Sequence, residues 1–362
     1  MINKELKIGD LIAKVPIVQG GMGIGVSLSG LASAVANQGG IGVISAACIG
    51  FREPDFRSNF IEANIRALRS EIRKARAKTK GIIGVNIMVA MSNFADMVKT
   101  SIEEGIDIIF CGAGLPLTLP EFLTPSSHTK LVPIVSSARA AKIIAKKWMD
   151  KYQYLPDAVV VEGPLAGGHL GFQTGQLADP AHSLEQLVKE VIHELAPLEE
   201  AYQKQIPVIA AGGIYSGGDI HRFLSMGAAG VQMATRFVAT EECDASTNFK
   251  LAYVNAKKDE IEIVSSPVGM PGRAIHNPFL HEVQAGRTTP SSCPFHCIKS
   301  CEHQNSPYCI SVALINAQKG HTDKGLVFAG ENAYKIQEIM TVEALFHLLL
   351  QEYAACEAAS QE

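Results

Sequence analysis

The chain has 362 residues, 47% hydrophobic and 19% charged, with a formal net charge of −4, an ordinary globular composition that lacks the broad basic field a nucleic-acid backbone would need. No stretch reaches the roughly 18 uninterrupted apolar residues that would span a bilayer, and Met1 to Gly9 mixes charged with apolar residues instead of forming a signal-peptide core, so the sequence reads as cytoplasmic. Length permits two or three domains, or one α/β barrel of about 250 residues with an addition.

Short β-rich runs recur at 17–19, 41–45, 82–86, 106–111, 131–136, 158–162, 208–211 and 230–233. Five of the seven intervals between their starts are 22–27 residues, enough for a strand, a turn and a helix. Continuous apolar runs mark strands buried on both faces, as parallel strands beneath helices are. The pattern predicts an α/β fold: a (β/α)8 TIM barrel, complete at residue 238, with a mainly helical and loop-rich C-terminal extension, 239–362, acting as a lid over the barrel mouth.

Between the second and third strands, Ile61, Ile65, Leu68, Ile72 and Ala75 form an amphipathic stripe. The basic residues opposite, Arg66, Arg69, Arg73, Lys74, Arg76 and Lys78, read as a solvated outer face. Further helices are expected at 184–202 and 217–227. Beyond 238 they are expected at 246–257, 308–319 and 341–355, with a loop-rich stretch from 265 to 307 and no convincing core pattern of the extension's own.

The loops after strands seven and eight carry Ala210-Ala211-Gly212-Gly213-Ile214 and Gly230-Val231-Gln232-Met233-Ala234-Thr235-Arg236-Phe237. Barrels commonly hold a phosphate there on loop amides and a short helix N-terminus. Gly212 and Gly213 let the backbone approach an anion and Thr235 can donate a hydroxyl; alternatively the glycines only make the turn. After strand one, Gln19-Gly20-Gly21-Met22-Gly23-Ile24-Gly25 has no acidic ribose partner on strand two, so it suits a flat ring lying against the backbone better than a Rossmann fingerprint. Asn86, ending strand three, either reads a ring edge or ribityl chain or caps its loop. After strand six, Gly167-Gly168-His169-Leu170-Gly171 puts an imidazole at the barrel mouth, where a near-neutral pKa would suit proton transfer.

These four motifs resemble the 2-nitropropane dioxygenase-like flavoproteins, which include nitronate monooxygenases and FMN-dependent enoyl-ACP reductases. The resemblance implies a TIM barrel that binds FMN non-covalently. By resemblance Gln19, Gly20, Gly21 and Met22 face the isoalloxazine and Asn86 contacts it. Gly212, Gly213, Gln232, Met233, Ala234 and Thr235 surround the phosphate, Gly168 joins the cofactor site, and His169 is the catalytic base. Two positions depart from the family pattern: Leu165 stands where a Glu is common, and Cys111-Gly112-Ala113-Gly114 where Ser-Phe-Gly is common. The implied activity is oxidation of small alkyl nitronates to carbonyl compounds and nitrite. The alternatives are reduction of an enoyl thioester or quinone with NAD(P)H as partner, and a non-catalytic flavin-binding module whose cysteine-rich segment docks a partner.

Of eight cysteines, Cys293, Cys297, Cys301 and Cys309 lie within 17 residues. In a reducing compartment such a cluster suggests an iron–sulfur cluster or zinc, with His296 and His303 as alternative ligands; free thiols, a redox disulfide or packing are the other readings. Cys48 and Cys111 read as small buried thiols. Arg273, in a segment expected to cross the barrel mouth, would meet an anionic substrate or form a surface salt bridge.

Overall fold

A computed structural model describes residues 4–360. The chain opens with a hairpin, β1 (Leu6–Ile8) and β2 (Leu11–Ala13), and then enters the barrel through β3 (Ile17–Gln19), β4 (Ile41–Ser45), β5 (Ile82–Met88), β6 (Ile108–Gly112), β7 (Lys130–Val135) and β8 (Val159–Glu162). A two-residue strand, β9 (Gly168–His169), leaves the barrel before β10 (Val208–Ala211) and β11 (Gly230–Met233) complete it. The eight barrel strands are parallel and the ring closes between β11 and β3. Each expected strand is present within a few residues of its expected bounds.

Strand alternation sorts the apolar side chains into two cores. Val160, Ile209, Val18, Val43 and Phe110 point inward, and Leu6, Ile8 and Ala13 of the hairpin plug the end of this inner core. Val159, Val161, Ile44 and Ile109 point outward under the helices α1 (Ser29–Asn37), α2 (Phe60–Lys78), α3 (Phe94–Glu103), α4 (Ala138–Tyr152), α5 (Leu184–Tyr202), α6 (Gly217–Ser225) and α7 (Thr235–Val238). Gly42 allows α1 to approach: a Cβ there would stand 1.8 Å from the Ala32 carbonyl oxygen. On α2, Leu68, Ile72 and Ala75 are buried as expected, whereas Ile61, in its first turn, is exposed. Arg66, Arg69, Arg73 and Arg76 pair with Glu53, Glu103, Glu104 and Asp107, which makes that face a solvated ion-pair surface.

The extension contains α8 (Thr247–Val254), β12 (Ile261–Ser265), β13 (Pro271–Ile275), α9 (Pro278–Gln284), α10 (Ile310–Gln318) and α11 (Val342–Ala359). Two expectations are corrected. The stretch 265–307 contains β13 and α9, and β13 lies between β12 and β9 in an antiparallel sheet. The extension also has a core of its own, including Val264, Ala274, Phe279, Leu280, Tyr308, Ile310 and Leu326. Pro271 is tolerated in this central strand because it is its first residue.

The last helix is part of the barrel wall, not of the lid. The helix after strand eight, α7, has only four residues, and α11 fills the helical layer by packing against α6 and α1. Its Phe346 is 1% exposed, with its ring 6.0 Å from that of Phe237. Phe346→Ala should therefore cost about 3–5 kcal/mol, seen as a markedly lower calorimetric unfolding midpoint; a helix merely resting on the surface would show almost no change.

Candidate active site

At the C-terminal end of the barrel lies a cavity of about 640 Å³ lined by residues of seven barrel strands, including Ser45, Asn86, Gly112, Val135, Glu162, Ala211 and Gln232, and by Gly20 immediately after β3. This is the size and placement of a small-molecule site. Of the residues singled out from sequence, Gly20, Gly21, Met22, Asn86, Gly168, His169, Gly212, Gly213, Gln232, Met233, Ala234 and Thr235 all line it. Gln19 does not. It is fully buried, and its side-chain amide accepts from the Val43 N–H at 3.0 Å and donates to the Val43 carbonyl at 3.2 Å, tying the end of β3 to β4.

The two loops expected to receive a phosphate stand side by side. Gly212 and Gly213 have φ of +91° and +86°, which glycine adopts readily. Among the described residues neither N–H has a protein partner, although both residues line the cavity. Across from them the Thr235 hydroxyl accepts from the Gly330 N–H at 3.1 Å, and the Asn332 amide donates to the Gly213 carbonyl at 2.7 Å. On the opposite side, a Cβ at Gly21 would fall 2.3 Å from the Asn86 Cβ and one at Gly20 would fall 3.3 Å from Gln232. The two glycines thus leave a wall without side chains between two amides.

His169 is held by the lid. Its strand β9 pairs with β13 in the register Gly272 to His169 and Arg273 to Gly168, and Leu170 N–H donates to the Pro271 carbonyl at 2.8 Å. Gly167 permits the close approach, because a Cβ there would stand 2.5 Å from the Ala329 carbonyl carbon. The imidazole Nε2 shares a 2.6 Å hydrogen bond with Ser266 Oγ, and its ring meets Phe328 edge-on at 5.0 Å. Burial pushes His169 down to about 4. The near-neutral pKa expected from sequence is therefore overturned, and the imidazole is neutral at pH 7.

Arg273 does not line the cavity; it forms the expected salt bridge, with Glu331, but from a buried position. Its buried guanidinium donates through Nη1 to the Pro164 and Ala166 carbonyls, both at 2.7 Å, and its Nε lies 3.0 Å from Glu331. It clamps the His169 loop to the lid. Cys111 is a buried thiol whose pKa burial raises. Cys48 is also buried but lines the cavity. The four clustered cysteines are free thiols, and among the described residues no three His, Cys, Asp or Glu side chains are gathered to hold a metal ion.

Several groups at the site escape the sequence reading: Ser266, which bonds His169 from outside the lining, and, among the lining residues, Phe328, the 330–332 turn, and Glu162 as a titrating group. Gly325 and Gly330, which bracket Phe328, were the available signal for the turn. Burial alone pushes Glu162 up to about 7.

A sequence profile of the nitronate monooxygenase family matches residues 4–352. The chain belongs to that family. Membership makes it an oxidoreductase of an FMN-dependent class. It is 28% identical over 271 residues to the (3aS,4S,5R,7aS)-5-hydroxy-7a-methyl-1-oxo-octahydro-1H-indene-4-carboxyl-CoA dehydrogenase of Mycobacterium tuberculosis, a match covering 75% of this chain and 66% of that protein. A probable nitronate monooxygenase of Staphylococcus saprophyticus is 26% identical over 76% of this chain and 79% of its own length. FabK of Thermotoga maritima superposes with a TM-score of 0.73 at 28% identity, over 96% of each chain. Among the described residues no helix is long and apolar enough to cross a membrane.

Glu162 yields a stability prediction. A carboxyl that titrates near 7 when folded and near 4.5 when unfolded holds its proton longer in the native state, so its contribution weakens as pH rises from 4.5 to 7 and stays low above. Glu162→Gln removes that loss. The variant's thermal midpoint should fall less than the wild type's between pH 5 and pH 8, as measured by calorimetry.

Proposed function

We propose that this protein oxidises small alkyl nitronates to carbonyl compounds and nitrite, with FMN in the barrel-mouth cavity and His169 facing the substrate. The observation that carries the reading is the position of His169, on the lid strand and in the wall of the cavity at the C-terminal end of the barrel.

The residues present fit FMN. The unpartnered N–H groups of Gly212 and Gly213, with the Thr235 hydroxyl, would take its phosphate. The side-chain-free wall at Gly20 and Gly21 would accept the flat ring, with the Asn86 and Gln232 amides at its edges. Gln19 supports this wall from behind by its bonds to β4. When bound, FMN supplies the acceptor for the substrate's electrons. The chain's own residues bind, orient and handle protons.

His169 is a weak base at a pKa of about 4, which disfavours taking an α-proton from a neutral nitroalkane. A nitronate arrives already deprotonated, and an imidazole N–H oriented through Ser266 can donate to its oxygen. Glu162, titrating near 7, can hold or release a proton in the same cavity.

One observation favours a second reading. The described residues lining the cavity include no Lys or Arg, so no cation meets an anionic substrate, and the apolar faces of Met88, Met91, Phe172 and Met270 suit an uncharged acyl chain. In that reading NAD(P)H is the electron donor and an enoyl thioester the acceptor, with His169 beside the substrate carbonyl. Anaerobic stopped-flow mixing of the FMN-loaded protein with propionate 3-nitronate, NADH and NADPH separates the two. Bleaching of the flavin by the nitronate alone is the expected result; bleaching only by a nicotinamide would overturn it. His169→Ala should lower kcat/KM by about a hundredfold or more while FMN is retained. Undiminished turnover in the variant would remove His169 from the chemistry.

A further inference from the structure

The cysteine segment builds a second cavity. Cys293, Cys297, Cys301 and Cys309 all line it, together with His296 and His303. His296 adopts a left-handed φ of +47°, which turns the chain between the first two cysteines, and its N–H donates to Cys293 Sγ at 3.3 Å. Phe295 anchors the turn, its ring 4.8 Å from that of Phe56. The strand-like piece that follows is stitched to the loop after β5: Ser92 N–H donates to the Cys297 carbonyl and Lys299 N–H to the Ala90 carbonyl, each at 3.0 Å. Cys309 immediately precedes α10, at the N-cap position of that helix.

The sulfurs are also met by polar groups. Cys297 Sγ lies 2.9 Å from Ser311 Oγ, and Cys301 Sγ lies 3.9 Å from Ser306 Oγ. Simple packing requires no such arrangement.

A single tetrahedral zinc would hold each sulfur about 2.3 Å from the metal. The thiols are not gathered that closely, since no three ligating side chains among the described residues form such a group. An iron–sulfur cubane asks for something different: four thiolates, each on its own corner iron, spread around a larger inorganic core, with N–H and O–H groups directed at sulfur. We infer that Cys293, Cys297, Cys301 and Cys309 ligate a [4Fe–4S] cluster. All four come from one short segment, which keeps the loop-closure cost low. Cys297, Ile298 and Ile310 line both cavities, so the cluster is one layer of side chains from the larger cavity. The inference concerns the thiol site alone and does not depend on which substrate the larger cavity takes.

The test is anaerobic purification of the full chain, reconstitution with ferrous iron and sulfide, and analysis for iron, acid-labile sulfide and zinc, with EPR after dithionite reduction. About four iron and four sulfide per chain are expected, with a reduced-cluster EPR signal. In Cys301→Ser and Cys309→Ser the iron should drop at least twofold while FMN content holds, which reports an intact barrel. Cys356→Ser, outside the four, should keep the wild-type iron content. Less than one iron per chain in the reconstituted wild type would overturn the inference, as would one zinc in its place or full iron retention in a Cys301→Ser/Cys309→Ser double variant.

Discussion

The interaction on which the site depends is the short antiparallel pairing of β13 with β9. A barrel strand ordinarily ends in a loop free to choose its conformation. Here the loop after β8 is drawn into the lid's sheet within six residues of the strand end, and the buried Arg273 guanidinium fastens it through the Pro164 and Ala166 carbonyls. Lid, loop and imidazole therefore form one unit. A buried guanidinium is costly unless its donors are used, and the bonds to the loop carbonyls and to Glu331 supply that compensation. The same residue looks from sequence like a substrate-binding cation, and this structural use removes it from the cavity wall.

The electrostatic character of the cavity follows from that enclosure. Its two principal titrating groups move toward neutrality by the same cause, Glu162 upward and His169 downward, because a shielded mouth penalises charge of either sign. Backbone N–H groups, amides and hydroxyls handle polar contacts, as in other barrels that receive phosphates on loops.

The barrel was legible in the sequence because β-branched runs buried on both faces leave an unambiguous pattern; Val159, Val160 and Val161 alternate between inner and outer cores without a polar interruption. The glycine loops were legible because glycine is needed where backbones approach closely. The lid sheet was not. Its strands are short, β12 alternates Ile261, Glu262 and Ile263 at a half-exposed edge, and its pairing with β9 joins residues about a hundred positions apart, a contact with no local signature. The same distance hid Ser266 and Phe328 beside His169 and gave no warning that burial would shift its pKa. Gln19 failed for another reason: a polar residue at a strand end points into the mouth or across to its neighbour strand according to register, which composition does not reveal.

The central claim, that lid and His169 loop are one unit held by Arg273 and the β13–β9 pairing, is tested most directly by hydrogen exchange in Arg273→Ala. Amides of residues 165–170 should exchange about tenfold faster or more than in the wild type, as expected for a locally opened segment, while those of β4 and β8 remain protected. Unchanged protection of 165–170 in a folded Arg273→Ala protein would contradict the account.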